Sequence, residues 1–599
     1  MDSEKVKLDK DGTFVIPLNE FNGSNSGTLS DNKLLVTSEK NQIDQDVIYI
    51  EPCGGRAGIL MLSIWNYIYK FTNSYSLFIK LFTKCTILAL VIAYVGYIIK
   101  VFIDKGSPLD WCHGYGMAFL IIAFIVWCII YYKMIKVSFK LFKPHLIKNF
   151  GGTIKFIKKY SSLIKSILSI VLIILFFAFI IYDTRSERRR LISLFGIMLF
   201  IIIGFLFSKH PDYIRWDTVI TGVCFHLLIG FLTIRIEVGR NIFQCIGTTI
   251  VKFLEFGYNG AAFVYGDFLV NVQQVFAFQS LSVLFFLSMV VQVLFYLGWI
   301  QIFCYKIGGF LQFILGTTVI ESVNAFSTIF LGMSEAPLLY RPYIKDLTPS
   351  EMHTVMTAGF ATVAGTLLAA YTTLGVDPKN VITASAMAAP ASLMFGKLFY
   401  PENRKSKTSS DNIEIYRSSD LSIMDAACKG AFDAVQLIAG IVSCVAATVS
   451  MVYFLNAFSA WLGSLAGVEG LTLEYLLGQI LIPLAWAMGV QPNQCEEVAS
   501  LIGMKSIANE FVAYEKLGKL KAAGKLSIRS EAIATFALCG FANPGSLATL
   551  IAMMTSLCPS QKGVVTKVAF RAFIAGSITS FTSACIAGLL TPENGFALE

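Results

Sequence analysis

The chain has 599 residues, of which 55% are hydrophobic and only 15% are Asp, Glu, Lys or Arg, against about 25% charged residues in a soluble globular domain. With a mean hydropathy of +0.66, this excludes a water-soluble enzyme. The net charge of +9 is modest for the length, and no basic stripe interleaves with stacking aromatics, which excludes a nucleic-acid binder. The apolar excess runs along the chain from about residue 83, the distribution of an all-α polytopic membrane protein. The 13 cysteines form no C-x-x-C pair, so neither a zinc site nor a disulfide framework is expected.

Residues 1–58 read as a disordered cytosolic tail, because Asp, Glu, Ser, Asn and Gly dominate without periodicity. Its charged start is no signal peptide. The glycine-rich Gly54 to Gly58 follows no strand and forms no phosphate loop. Residues 59–82 mix apolar side chains with Asn66, Lys70, Asn73 and Lys80, which suits an interfacial amphipathic helix. Apolar runs of spanning length, about 20 residues, follow at 85–103, 115–132, 163–182, 191–207, 218–234 and 281–304. The stretch from Lys133 to Lys165 holds nine lysines and no acid, so the positive-inside rule puts it in the cytoplasm and, two spans earlier, the N-terminus as well. On that count Arg185, Arg188, Arg189 and Arg190 fall outside, a conflict settled by the larger bias of the lysine loop.

Beyond Gly308 the apolar runs become rich in Gly, Ala, Ser, Thr and Pro, residues that permit close helix packing and broken backbone. Segments are expected at 308–330, 352–374, 380–399, 431–462, 473–490, 498–516, 528–557 and 567–590, with a polar linker from Pro401 to Asp420. Two places combine an intramembrane acid with helix breakers. The first is Gly332-Met333-Ser334-Glu335-Ala336-Pro337. The second is divided between Asn509-Glu510-Phe511 and Gly540-Phe541-Ala542-Asn543-Pro544-Gly545-Ser546. Interrupted segments in corresponding positions of two halves mark a midplane site in a transporter built from inverted repeats.

The chemistry of these residues is that of binding. Ionised Glu335 and Glu510 accept hydrogen bonds from a ligand rich in hydroxyls, such as a ribose. Asn543 donates and accepts at once, as a heterocycle edge requires, and Phe541 offers a stacking face. Thr328 and Thr362 are hard oxygen donors suited to a cation. Against each stands a bland alternative. The acids could pair with Arg341 or a lysine, Asn543 and Ser546 could satisfy backbone freed by Pro544, Phe541 alone reads as packing, and the threonines could bond their own helix carbonyls. We favour function for the acids, since intramembrane carboxylates are functional by default, and for Asn543 and Ser546. Glu321, His210, His226 and His353 read as structural.

Several long motifs in order now carry a resemblance: Ile329 to Leu339, Arg341-Pro342-Tyr343, Met356 to Thr362, Asn509 to Tyr514, Ile528-Arg529-Ser530-Glu531 and Cys539 to Asn543. Over Leu191 to Leu590 the chain resembles the concentrative nucleoside transporters. The resemblance implies about eleven transmembrane helices plus two re-entrant helical hairpins in an inverted repeat, assembled as a homotrimer with scaffold and elevator-type transport domains. The division it implies is additional helices over 83–190, scaffold over 191–307, transport domain over 308–400 with a hairpin at Gly308 to Phe330, and linker and interfacial helix over 401–430. A long scaffold helix over 431–465, transport domain over 466–557 with a hairpin at Leu473 to Val490, and a last scaffold helix within 558–599 complete it.

Carried over by position, Glu335 and Glu510 hold the ribose and base-proximal network, Asn543 and Ser546 bind ribose, Phe541 lines the pocket, and Gly332, Met333 and Ser334 face the nucleobase. Leu331 and Val363 carbonyls with Thr328 and the Thr362 hydroxyl form the cation site. Two departures bear on coupling and selectivity. Thr328 stands where sodium-coupled members usually have Asn, which favours H⁺ over Na⁺, with a carboxylate taking up the proton as ligand binds. Met333 replaces the usual Gln, as in purine-preferring animal members, and its thioether packs readily on a larger base. The expected function is a plasma-membrane nucleoside symporter favouring purine nucleosides and uridine. It would need no cofactor beyond the co-transported cation, lie in lipid and bind no nucleic acid, with a Na⁺-coupled broad-specificity transporter as the alternative. A membrane-embedded enzyme lacks any paired catalytic motif, and a passive channel lacks charged rings or a filter loop.

Overall fold

A computed structural model of the chain describes residues 76–106, 112, 114–130, 161–273, 275–408, 418, 420–593 and 595, with a few positions between 60 and 68. The tail expected over 1–58 and most of the lysine-rich loop lie outside these residues. The chain divides into two units, Met1–Leu109 and Asp110–Glu599. The first contains α1, Ser76–Lys105. That single helix takes in residues 76–82, which the sequence suggested for an interfacial element. Phe78, Ile79, Leu81 and Phe82 continue the apolar run, and nothing in the sequence there breaks a helix.

In the second unit the regular elements among the described residues are all helical. They are α2 Gly114–Ile130, α3 Ser161–Asp183, α4 Leu191–Leu206, α5 Trp216–Gly230 with a π-helical end Phe231–Arg235, and α6 Glu237–Tyr265. The 29-residue α6 was not expected, because its polar face (Glu237, Arg240, Asn241, Gln244, Lys252, Glu255) dilutes its hydropathy. Next come α7 Val283–Tyr296 and α8 Trp299–Leu315, bent by 77° where one span was expected over 281–304. Gly298 makes the bend, at φ 78°, a conformation that costs glycine little and other residues much.

The rest of the chain falls into two runs of the same plan. The first is α9 Val319–Glu335, a 3₁₀ segment Ala336–Asp346, α10 Pro349–Ala361, α11 Leu368–Thr373 and α12 Pro378–Phe399. After α13 Ile423–Leu465 and α14 Leu473–Ala487, the second run is α15 Cys495–Ile507, α16 Glu510–Ala522, α17 Ile528–Leu538, α18 Pro544–Leu557 and α19 Lys562–Leu590. In each, a helix ends at an acid-bearing break and the chain returns. A further helix is then broken midway, and a long helix follows. The returns carrying the acids therefore lie at 332–335 and 508–510, later than the hairpins expected at 308–330 and 473–490. Helix α13 starts at Ile423, inside the stretch expected to be linker. The segments expected over 498–516 and 528–557 are each interrupted, at the breaks read from Asn509 and from Gly540 to Ser546.

Five helices among the described residues are long and apolar enough to cross a membrane, or six if the bent pair is one span. Helices α12 and α19 form the centre, buried over 83% of their most apolar windows, whereas α13 is buried over 6% of its own. Close approach rests on small residues, since lipid offers no hydrophobic gain for helix pairing. A Cβ on Gly396 would meet the Thr354 side chain at 2.8 Å.

Of the arginines that conflicted with the topology count, Arg190 is a buried helix cap, Arg189 is half-buried, and Arg185 and Arg188 are exposed. The final carbonyls of α19 lack intrahelical partners. Arg190 Nε and Nη2 donate to the Leu589 carbonyl at 2.9 and 2.7 Å, and Arg529 Nε donates to that of Gly588 at 2.8 Å. Asp183 balances Arg190 at 2.8 Å and also pairs with Arg235, while Arg189 reaches the Val490 carbonyl. A charge used like that of Arg190 no longer reports sidedness. One cysteine pair also departs from expectation. Cys112 and Cys245 form a disulfide across 133 residues, a separation at which no local spacing reveals a pair. Replacing Arg190 by Met should cost about 3 kcal/mol, the scale of breaking a buried ion pair, read as a lower thermal midpoint of the detergent-solubilised protein. An unchanged midpoint would refute the capping role.

Candidate functional site

Helix α9 is started by a capping box in which Thr318 and Glu321 bond each other's backbone, and it is interrupted at Gly332. That residue has φ 72° and ψ −179°, and a Cβ there would lie 2.6 Å from the Ala364 side chain. Only glycine meets both demands. Helix α10 begins with a second capping box, Thr348 with Glu351, and ends at Ala361, after which Thr362 is extended. The two helices pack together, so their C-terminal ends meet. There the Thr362 hydroxyl donates to the Ala358 carbonyl at 3.0 Å and toward that of Thr328 at 3.5 Å, and the Thr328 hydroxyl donates to the Ala325 carbonyl at 3.1 Å. Leu331 and Val363 flank this contact. The helix back-bonding weighed for the threonines is present, yet it leaves two carbonyl-rich, partly negative helix ends around hydroxyl oxygens. That donor set fits a hard monovalent cation.

The second half builds its break from asparagines. Asn509 caps α16 by accepting from the Val512 N–H at 3.1 Å, which places Glu510, 3% exposed, at the first helical position. Asn543 caps α18 by accepting from the Ser546 N–H at 2.8 Å, and its amide donates to Glu510 Oε2 at 2.8 Å. One side chain thus finishes a helix and orients the acid.

These breaks converge on a cavity of about 570 Å³, within the range of small-molecule sites. Gly332, Met333 and Glu335 line it from the first half, and Glu510, Phe541, Asn543 and Ser546 from the second. The Ser334 side chain lies outside the described residues. Glu335 Oε2 is buried with no hydrogen-bond partner among the described residues, an acceptor facing the cavity. The opposite wall comes from α7, with Gln292 and Phe295, and from α13, with Asp433 and Gln436. Sequence reading missed this wall. The available signal was Asp433 and Gln436, polar residues three apart on one face of an otherwise apolar helix. Glu321, His226 and His353, read from the sequence as structural, each have a partner within the protein. Glu321 pairs with Lys397 at 2.6 Å, His226 bonds Ser583 at 3.0 Å, and His353 bonds the Gly396 carbonyl at 3.2 Å. A Gly332→Ala variant should lose at least about tenfold in ligand affinity, the equivalent of about 1.4 kcal/mol, through backbone strain and the Ala364 clash. Binding equal to wild type, measured on solubilised protein, would count against this geometry.

Three family models match the chain: the "Na+ dependent nucleoside transporter" N-terminus over 195–268 and C-terminus over 380–588, with "Nucleoside recognition" over 277–377 between them. The chain is 42% identical over 427 residues to sodium/nucleoside cotransporter 2 of Rattus norvegicus, which covers 69% of this chain and 64% of the rat protein. It is 41% identical over 427 residues to sodium/nucleoside cotransporter 1 of Oryctolagus cuniculus, 69% of this chain and 65% of the rabbit protein. The matched part is thus a little under two thirds of either relative. The solved structure of CNTnw in an inward-facing substrate-bound state superposes with a TM-score of 0.64 at 36% identity, covering 68% of this chain and 99% of that one. These relatives are transporters and not enzymes. Their likeness extends over the helices that carry both breaks and the cavity, and the chain belongs to the concentrative nucleoside transporter family.

Proposed function

We propose that this chain is a sodium-driven symporter that imports nucleosides across the plasma membrane. The observation that carries the proposal is the convergence of Glu335, Glu510 and Asn543 on one cavity, with the Thr328 and Thr362 hydroxyls at a neighbouring pair of helix ends. Glu510 and Asn543 present an oriented acceptor and donor to ribose hydroxyls, with Ser546 beside them. Glu335 accepts from the base edge or ribose. Phe541 and Met333 supply apolar faces, and Met333 in place of an amide supports the lean to purine nucleosides and uridine. The preference for protons drawn from Thr328 gives way to sodium. The relatives are named for sodium, and the helix-end carbonyls supply an oxygen field in which a hydroxyl suffices at position 328. Homotrimeric assembly and elevator movement belong to the same proposal. They are supported by the long, nearly unburied α13, a face open to lipid or to a second copy.

Sidedness follows from the disulfide. A persistent disulfide belongs to an oxidising compartment, which puts Cys112 and Cys245 on α6 outside the cell. Helix α5 leads directly into α6, so its start at Trp216 is cytosolic. An extracellular Cys112 also supports the cytosolic N-terminus read from the lysine loop.

Uptake of labelled adenosine by expressing cells should be concentrative in Na⁺ and lost in choline at both pH 5.5 and pH 7.5. Uptake that persists without Na⁺ and rises at acid pH would restore the proton reading. Inosine should compete several-fold better than cytidine, and equal competition removes the purine lean. For the topology, a membrane-impermeant maleimide should label Cys245 in intact cells only after reduction or in a Cys112→Ser variant. Labelling confined to permeabilised cells reverses the orientation.

A further inference from the structure

Lys505 is a buried cation that does not line the cavity. It is 2% exposed, near the end of α15, and its Nζ donates to the Ala537 carbonyl at 2.9 Å. The Phe581 ring centroid lies 6.0 Å from it. An ammonium held in this way among helices is costly unless its charge is compensated. Part of the compensation here is backbone. Helix α15 packs on α17, so two helix C-termini, each carrying partial negative charge, close on the same point.

The first run has the same arrangement. Helix α9 packs on α10, and their C-terminal ends meet at Thr328 and Thr362. Thr328 stands four residues before the Gly332 break, and Lys505 stands three residues before Ala508, where the second break opens. At equivalent places in the two runs, one half offers hydroxyl and carbonyl oxygens and the other holds an ammonium on a side chain.

The position of Lys505 along the chain adds a second consequence. It precedes Glu510 on the incoming helix, and it bonds Ala537 just before the Cys539 to Asn543 break that delivers the amide to Glu510. The Glu510 carboxylate also acts on Lys505 through space. The same ammonium therefore ties together both strands of chain on which the Glu510–Asn543 hydrogen bond depends.

We propose that Lys505 is a tethered cation, occupying in the second half the place that in the first half is open to a dissolved cation, and that it acts as a positioning residue for Glu510 and Asn543. The inference rests on the nucleoside-symport reading. A cation fixed at this point keeps the second half permanently in the arrangement that the first half reaches only when a cation binds. Half of the site is then preformed, and the dependence on sodium falls on the other half.

Adenosine uptake and its Na⁺ activation curve, normalised to surface abundance, test this with three variants. Lys505→Gln keeps a donor for Ala537 but loses the charge, and its KM for adenosine should rise at least about tenfold. Lys505→Arg keeps the charge and should stay within a few-fold of wild type. Lys505→Thr recreates a hydroxyl site, and its Na⁺ activation curve should be steeper than that of wild type. A Lys505→Gln protein with wild-type KM and Na⁺ curve overturns the proposal, as does a Lys505→Thr curve no steeper than wild type. If the neutral variants do not reach the surface, a Lys505→Arg protein that reaches it yet binds adenosine more than tenfold worse also overturns it. Absence of uptake by the wild-type chain instead defeats the symport reading, so the two failures are separable.

Discussion

A helix broken inside a membrane leaves N–H and C=O groups that water is not there to satisfy, and each must find a partner within the protein. This constraint shapes the two runs around the cavity. The start of α18 is closed by Asn543, and that of α16 by Asn509. At the end of α17, Thr535 receives the Tyr514 hydroxyl at 3.1 Å, and Cys539 just beyond it receives Ser580 at 2.9 Å. In the first run Asn324 spans the gap between helices, donating to the Val355 carbonyl at 3.0 Å and accepting from the Tyr340 hydroxyl at 2.7 Å. Asn543 completes the backbone and also faces the cavity. At such a position fold and site are one structure, and a change made for selectivity is also a change in stability.

The same constraint explains where the few charges sit. Arg190 and Arg529 close the end of α19. Lys397 holds Glu321, the acid that caps α9, and Lys505 closes α17. These groups act on backbone ends, at distances where low polarity strengthens each contact. Glu335 differs, since one of its buried oxygens has no partner among the described residues. A buried unsatisfied acceptor is costly in a finished structure, which is the physical ground for the ligand role proposed for Glu335.

Much of this was legible in the sequence, and the failures have physical causes. Apolar length reported helices well, and Gly332, Pro337 and Pro544 reported breaks, because the signals are local. The bend at Gly298 was missed since one glycine in an apolar run is no different in composition from a packing glycine. Helix α6 was missed because a hydropathy criterion discounts an amphipathic element. The placing of the hairpins at 308–330 and 473–490 followed the resemblance, while the breaks themselves, read from Gly332 and from Asn509 with Asn543, were located correctly. Pairings across long separations, Cys112 with Cys245 or Lys505 with Ala537, carry no local signature. The α7 and α13 wall was legible in Gln292, Asp433 and Gln436 and was passed over because a lone polar residue in a long helix attracts less notice than a helix breaker.

The two walls of the cavity differ in kind. Helices α7 and α13 are continuous near the cavity and packed tightly on one another. Their ends are braced at Asp420, which accepts from Gln292 and Ser418, each at 2.6 Å, and pairs with Lys429 at 3.0 Å. The facing wall consists of helix ends whose polar partners lie almost wholly within its own half of the molecule, and α13 makes few contacts with them. The cavity is therefore a seam between two bodies that hold together largely through their own hydrogen bonds. A pore lined by one rigid ring conducts without rearrangement. Parting such a seam would carry the cost of exposing the cavity lining without breaking the bonds that hold either wall. A ligand that fills the seam and satisfies Glu335 lowers that cost, which is the physical requirement for coupling ligand occupancy to movement.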